Sequence, residues 1–143
     1  MAEEPRGALE LRTLAMPANT NPSGDIFGGW IMSLMDLAAG MSAGRHAGAR
    51  VVTAAASNLS FLAPVKVGDI VCCYAELLRT GRTSITLGVE VWVLRRLEGQ
   101  RSKVTHAEFT MVAMDEEGRP KPLSHIRHTP AGRPQATQEG EKT

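Results

Sequence analysis

The sequence predicts an α+β fold in which one long helix is wrapped by an antiparallel sheet of about five strands. Three observations carry this expectation. A proline-free stretch from Phe27 to His46, rich in Ala, Leu and Met, has the composition of a helix. One strand-like run precedes it, and four follow it joined by short turns. A consecutive run of strands favours antiparallel pairing over alternating α/β, and a lone helix needs a sheet to cover it.

The elements follow in order. Residues 1–8 are expected to be flexible. Leu9 to Met16 reads as the first strand, ended by Pro17, and residues 18–25 (ANTNPSGD) are a dense cluster of turn formers. The helical stretch FGGWIMSLMDLAAGMSAGRH has apolar residues around nearly its whole circumference, so it is expected to be buried on most sides. Strands are predicted over Val51 to Phe61, before Pro64, and over Asp69 to Leu78. After the turn Thr80-Gly81-Arg82-Thr83, Ser84 to Leu94 alternates well. Ile85, Leu87, Val89, Val91 and Val93 share one face, with Thr86, Gly88, Glu90 and Trp92 on the other. Ser102 to Met114 gives the last strand, ended by Asp115 to Gly118. Beyond Leu123, Pro, Gly, Gln, Thr and charge predict a disordered tail over 124–143, leaving one domain over 9–123.

Composition narrows the function. A chain of 143 residues suits one domain. A formal net charge of +1 supplies no broad basic field for a nucleic-acid backbone. The apolar-rich stretch Ile26 to Gly44 is broken by Asp36, serines and glycines, so no membrane span is expected. Met1 to Arg12 is too charged for a signal peptide. Cys72 and Cys73, adjacent on a strand, point to opposite faces and match no zinc spacing. Both are read as reduced packing residues, with the cytoplasm as the default compartment and no metal.

Asp36 is the most informative residue. It is the only charged side chain between Asp25 and Arg45, and it sits among Leu34, Met35, Leu37 and Ala38. A buried carboxylate must be paired, hydrogen-bonded or protonated. Asp36 either lies on a narrow polar strip with Ser33, pairs with an arginine, or serves as a general base or nucleophile in a concave site. The helix start, Gly24-Asp25-Ile26-Phe27-Gly28-Gly29, offers free backbone N–H groups and the positive dipole end. Gly28 and Gly29 remove side chains that would hold a ligand away, so a carbonyl oxygen could be polarised there; close packing is the plainer alternative. Asp36 stands eight residues on from Gly28, about 12 Å along the helix. One chain therefore cannot place both groups on one carbonyl. Two facing subunits with antiparallel helices could. Asp25 is either the helix N-cap or the holder of a catalytic water.

The turn Gly81, Arg82, Thr83 and Ser84, with Lys103, Arg119 and Lys121, offers possible phosphate contacts, although exposed cations are commonplace. His46 and His106 have no Ser or Cys partner at a recognisable spacing, and no P-loop or Rossmann fingerprint occurs.

The stretch LRTLAMPANTNPSGDIFGGWIMSLMDLAAG closely resembles the opening of YciA-type acyl-CoA thioesterases. The likeness continues through RVVT, FLAPVKVGDIVCCYAELL and EVWV, from about Leu11 to Leu123. It implies a hotdog fold and acyl-CoA thioester hydrolysis, with no cofactor because CoA is part of substrate and product. It also implies homodimers assembled further as trimers of dimers, with active sites at dimer interfaces. The family's catalytic aspartate matches Asp36, its backbone oxyanion donors match Gly28 and Gly29, and its polar residue in the loop before the helix matches Asp25. The resemblance implies that the nucleotide end of CoA lies near Gly81 to Ser84. Relatives differ at Arg82, and many carry an acid where this chain has Ser57. The rival readings are a non-catalytic acyl-CoA-binding module acting through a partner, and a hydratase. The helix offers no histidine before His46 for the latter.

Overall fold

The structure is a computed structural model, and it describes residues 3–95 and 99–123. The predicted tail over 124–143 lies outside the described residues. Five strands and one long helix form: β1 (Ala8–Leu14), α1 (Gly28–Ala47), β2 (Arg50–Phe61), β3 (Ile70–Thr80), β4 (Ser84–Leu94) and β5 (Arg101–Met114). A single 3-10 turn, Pro17–Asn19, stands between β1 and the helix. All pairings are antiparallel, in the order β1-β3-β4-β5-β2. The α+β hotdog architecture expected from the sequence is what forms.

The inner face of the sheet and one side of α1 make the core. Ile85, Leu87, Val89, Val91 and Val93 all point into it, as their alternation predicted, and meet Ile31, Met35, Ala38, Ala39 and Ala43 of the helix. The alanines let the helix lie close to the sheet. α1 ends at Gly48, whose φ of 62° is the left-handed conformation that stops a helix, and whose N–H donates to Gly44 O at 2.8 Å.

One expectation needs correction. The helix, expected to be buried on most sides, is buried on one: Met32, Ser33, Asp36 and Leu37 form an exposed side. An apolar circumference here reflects one face for the sheet and a second face still uncovered in the single chain. The outer face of the sheet, in turn, is partly covered. Cys72, Tyr74 and Trp92 form a second buried cluster there, and Glu90 is buried beside them. Glu90 accepts hydrogen bonds from Trp92 Nε1 at 2.9 Å and from the Arg6 N–H at 3.2 Å, and it pairs with Lys103 at 3.4 Å. Glu3 and Glu4 reach Lys103 and Arg101. Residues 3–6 therefore lie across the outer face.

Cys72 and Cys73 are unbonded and sit on opposite faces of β3, as expected of strand neighbours. β2 carries an irregularity between Ser57 and Ser60, where Asn58 adopts a φ of 54°. Asn58 and Leu59 stand opposite Ala107 alone, an extra residue that bends the strand.

Candidate functional site

The loop before α1 is braced by its own backbone and by Asn21. Asn21 Oδ1 accepts from the N–H groups of Ser23 and Asp25 at 2.9 and 3.2 Å, and Asn21 N donates to Asp25 O at 2.7 Å. Phe27 N donates to Asn19 O and Ile26 N to Val65 O, which fixes where the helix begins. The N-cap is Phe27, with no side-chain cap. The capping reading of Asp25 is thus overturned: its carboxylate turns away to Lys66, whose Nζ stands 2.6 Å from Oδ1. The cation on the following loop competes better for the acid than the helix amides do.

The first helical amides to find an acceptor belong to Trp30 and Ile31, both directed at Phe27 O. Those of Gly28 and Gly29 donate to no acceptor among the described residues. They stand at the positive end of the helix dipole, ready for a carbonyl or carboxylate oxygen. Beside them a cavity of about 360 Å³ opens between the helix start and residues 61–65. Asn21, Asp25, Gly28 and Phe61 line it, and Asp36 does not.

Asp36 lies two turns further along, on the exposed side of α1. Its Oδ1 accepts a hydrogen bond from Thr53 Oγ1 on β2. That bond fixes the carboxylate against the edge of the sheet and leaves its second oxygen available. Met32 and Leu37, both exposed, flank it. Within one chain the carboxylate and the free amides are therefore separate, as the residue spacing required.

The Gly81 to Ser84 turn forms as predicted, closed by Gly81 N to Ser84 O at 2.8 Å. It is tied to the end of the described chain, with Leu123 N donating to Arg82 O at 2.9 Å. The turn sits at the helix C-terminal end of the sheet. β3, 11 residues long, runs from the Val65 side to the turn, so the turn is roughly 35 Å from the cavity in the same chain. The other cations considered for phosphate are engaged or remote. Lys103 pairs with Glu3 and Glu90, Arg119 pairs with Asp115 and Glu117, and Lys121 is exposed near Asp115. His46 Nδ1 lies 2.9 Å from Ser42 O, within its own helix. Among the described residues no cluster of His, Cys, Asp and Glu could hold a metal, and no helix is long and apolar enough to cross a membrane.

Sequence reasoning missed Thr53, Asn21, Lys66 and Phe61. Thr53 lies 17 residues beyond Asp36 on another element, and no local pattern links them. Asn21 sits in a run of turn formers where any member could have been the brace.

Residues 23–99 match the Thioesterase superfamily. The chain is 52% identical over 126 residues to the acyl-CoA thioester hydrolase YciA of Salmonella typhimurium, covering 86% of this chain and 95% of that protein. It superposes on the hexameric thioesterase of Yersinia pestis with a TM-score of 0.82 at 52% identity, over 86% of this chain and 100% of that one. A hexameric broad-specificity acyl-coenzyme A thioesterase, solved as an Asp-to-Ala mutant, gives a TM-score of 0.82 at 47% identity, covering 87% and 91% of the two chains. The open helix face, the free amides at its start and these likenesses converge: the chain belongs to the thioesterase superfamily, among its YciA-type acyl-CoA thioesterases.

Proposed function

We propose that this protein hydrolyses acyl-CoA thioesters to a carboxylic acid and CoA at sites shared between two copies of the chain. One observation carries the proposal: two free amides and an exposed carboxylate lie two turns apart on one helix. Two helices side by side and antiparallel put the amides of one copy opposite Asp36 of the other. The thioester carbonyl oxygen then accepts hydrogen bonds from Gly28 and Gly29. Asp36 of the facing copy removes a proton from water as the water attacks, or itself attacks to give a mixed anhydride that water opens. The tetrahedral intermediate expels the CoA thiolate, which takes up a proton. Each amide donor contributes on the order of 3 kcal/mol to the transition state, and general-base assistance about 10²–10⁴-fold. Water, the carboxylate and the backbone donors suffice for this chemistry without a cofactor.

The same antiparallel arrangement brings the Gly81 to Ser84 turn of the facing copy to the helix start, since the turn shares the helix C-terminal end. That is the place proposed for the nucleotide end of CoA, with Arg82 and the turn amides toward its phosphates. Asp25, held by Lys66, stands at the cavity rim, where it can orient the attacking water. The hexameric state of the Yersinia pestis relative supports a trimer of these dimers.

Free-thiol release on acyl-CoAs from acetyl to palmitoyl, with wild type and Asp36→Ala side by side, tests this. Release by wild type that falls at least about 100-fold in the variant is the expected result. Near-normal turnover by Asp36→Ala would remove the carboxylate from the mechanism. Silence of folded, dimeric wild type across the panel would favour the acyl-CoA-binding module.

A further inference from the structure

The two glycines at the helix start are each covered by an aromatic ring. A Cβ added to Gly28 would stand 3.5 Å from Cζ of Phe61, and one added to Gly29 would stand 2.7 Å from Cε2 of Phe27. Both rings remain half exposed, Phe27 at 55% and Phe61 at 49%. Neither belongs to the core cluster. Large apolar surface left in water beside free amides is unfavourable for folding, and is accounted for if something apolar binds against it.

The rings differ in one respect. Phe61 lines the cavity of about 360 Å³ together with Ile26, Ile31 and Val65, whereas Phe27 lies outside it. Phe61 also closes β2, so its backbone is held by pairing with Thr105 on β5. Its ring thus shares the lining of the cavity with Gly28, Ile26, Ile31 and Val65, and lies against the start of the helix.

We infer that Phe61 determines which acyl groups are accepted, by limiting bulk at the carbons next to the thioester carbonyl. This rests on the thioesterase reading, with the carbonyl oxygen at the Gly28 and Gly29 amides. From there the acyl chain passes the Phe61 ring to reach Ile26, Ile31 and Val65. A straight chain is slim enough to pass along the ring face. A branch at the α carbon, or an aryl ring joined directly to the carbonyl, meets the ring edge.

The test compares kcat/KM for butyryl-, octanoyl-, isobutyryl- and benzoyl-CoA in wild type, Phe61→Leu and Phe61→Ala. The ratio of branched or aryl substrate to straight-chain substrate is expected to rise at least about 10-fold in Phe61→Ala and less in Phe61→Leu, the scale on which a pocket discriminates by a few carbons. Thermal melting and sedimentation check that each variant stays folded and assembled. If either active variant scaled all four substrates by one factor, the inference would be overturned while the thioesterase reading stood. If wild type hydrolysed none of the straight-chain substrates, both would fall.

Discussion

At one edge of the sheet β1 runs for seven residues, carries Glu10 and Arg12, and slips its register with β3 between Leu9 and Leu11. Glu10 is gripped by Arg45 of the helix at 2.6 and 2.8 Å. At the other edge β2 runs for 12 residues, mostly exposed, with no charged side chain from Val51 to Val65. Short length, charge and irregularity are how a sheet edge is kept from pairing with another chain. β1 has all three. β2 is longer, has two register irregularities, between Thr53 and Ala55 and between Ser57 and Ser60, and carries one charge, Arg50 at its first residue; otherwise it presents Val52, Thr53 and three alanines beside the exposed side of α1. The difference teaches that one edge is finished within the chain and the other is suited to a second copy, and that the carboxylate of the proposed site is hydrogen-bonded to the unfinished one.

The largest expected effect comes from closing the open edge. Ala55→Lys places a charge in the middle of β2. Sedimentation should then show a smaller assembly than wild type, and thiol release should fall at least about 100-fold as base and donors lose each other. Leu9→Lys, the matching insult on β1, should leave both dimer and turnover in place. Loss of the dimer in both variants alike would break the comparison.

Thr53→Val addresses the contact between edge and carboxylate alone. A hydrogen bond to a charged group is worth about 1.5–3 kcal/mol, so kcat should drop by roughly 10-fold or more with the dimer intact. Unchanged kcat would mean that Asp36 is positioned without the edge strand. A smaller change is expected from Gly28→Ala. The new methyl fits against Phe61 at 3.5 Å, and Ala is the better helix former by up to about 1 kcal/mol. The melting temperature should hold or rise while turnover falls several-fold, separating function from stability at one atom.

The smallest effect belongs to the finished side. Cys73, on β3 opposite Leu11 of β1, has its thiol pushed up to about 12, by burial first and by neighbouring Cys72 second. The folded state then holds this proton more tightly than the unfolded chain. Its contribution to stability is full below the ordinary thiol range near 9 and is lost as pH climbs from there through about 12. Native protein at pH 8.5 should leave Cys73 unalkylated by iodoacetamide, and Cys73→Ala should flatten that alkaline fall while changing nothing measurable in its pH dependence near pH 7.

Most of the architecture was legible in the sequence because period and punctuation act locally. Ser84 to Leu94 matched to the residue, and the other strands and the helix shifted by one or two positions at their ends, where propensity is weakest. What was not legible depends on residues far apart in the chain. The pairing of β2 with β5 rather than β3 is one case, and the cover that residues 3–6 lay over Glu90 is another. Asp36 stood out through its isolation, but its partner Thr53 did not, since the bond exists only after the sheet has formed. Asp25 misled because a good capping residue two places too early is captured by Lys66 instead. The half-exposed side of α1 misled for a different reason: sequence records that a face is apolar and not which chain covers it.

The strand order has a bearing on synthesis in the cell. β2 leaves the ribosome early, yet its partner within the chain is β5, the last described strand to emerge. Throughout that interval the uncharged stretch from Val51 to Val65 lacks its strand partner within the chain, until translation reaches Met114. The nascent chain thus carries an unpaired strand through much of its synthesis, the condition under which aggregation competes with folding.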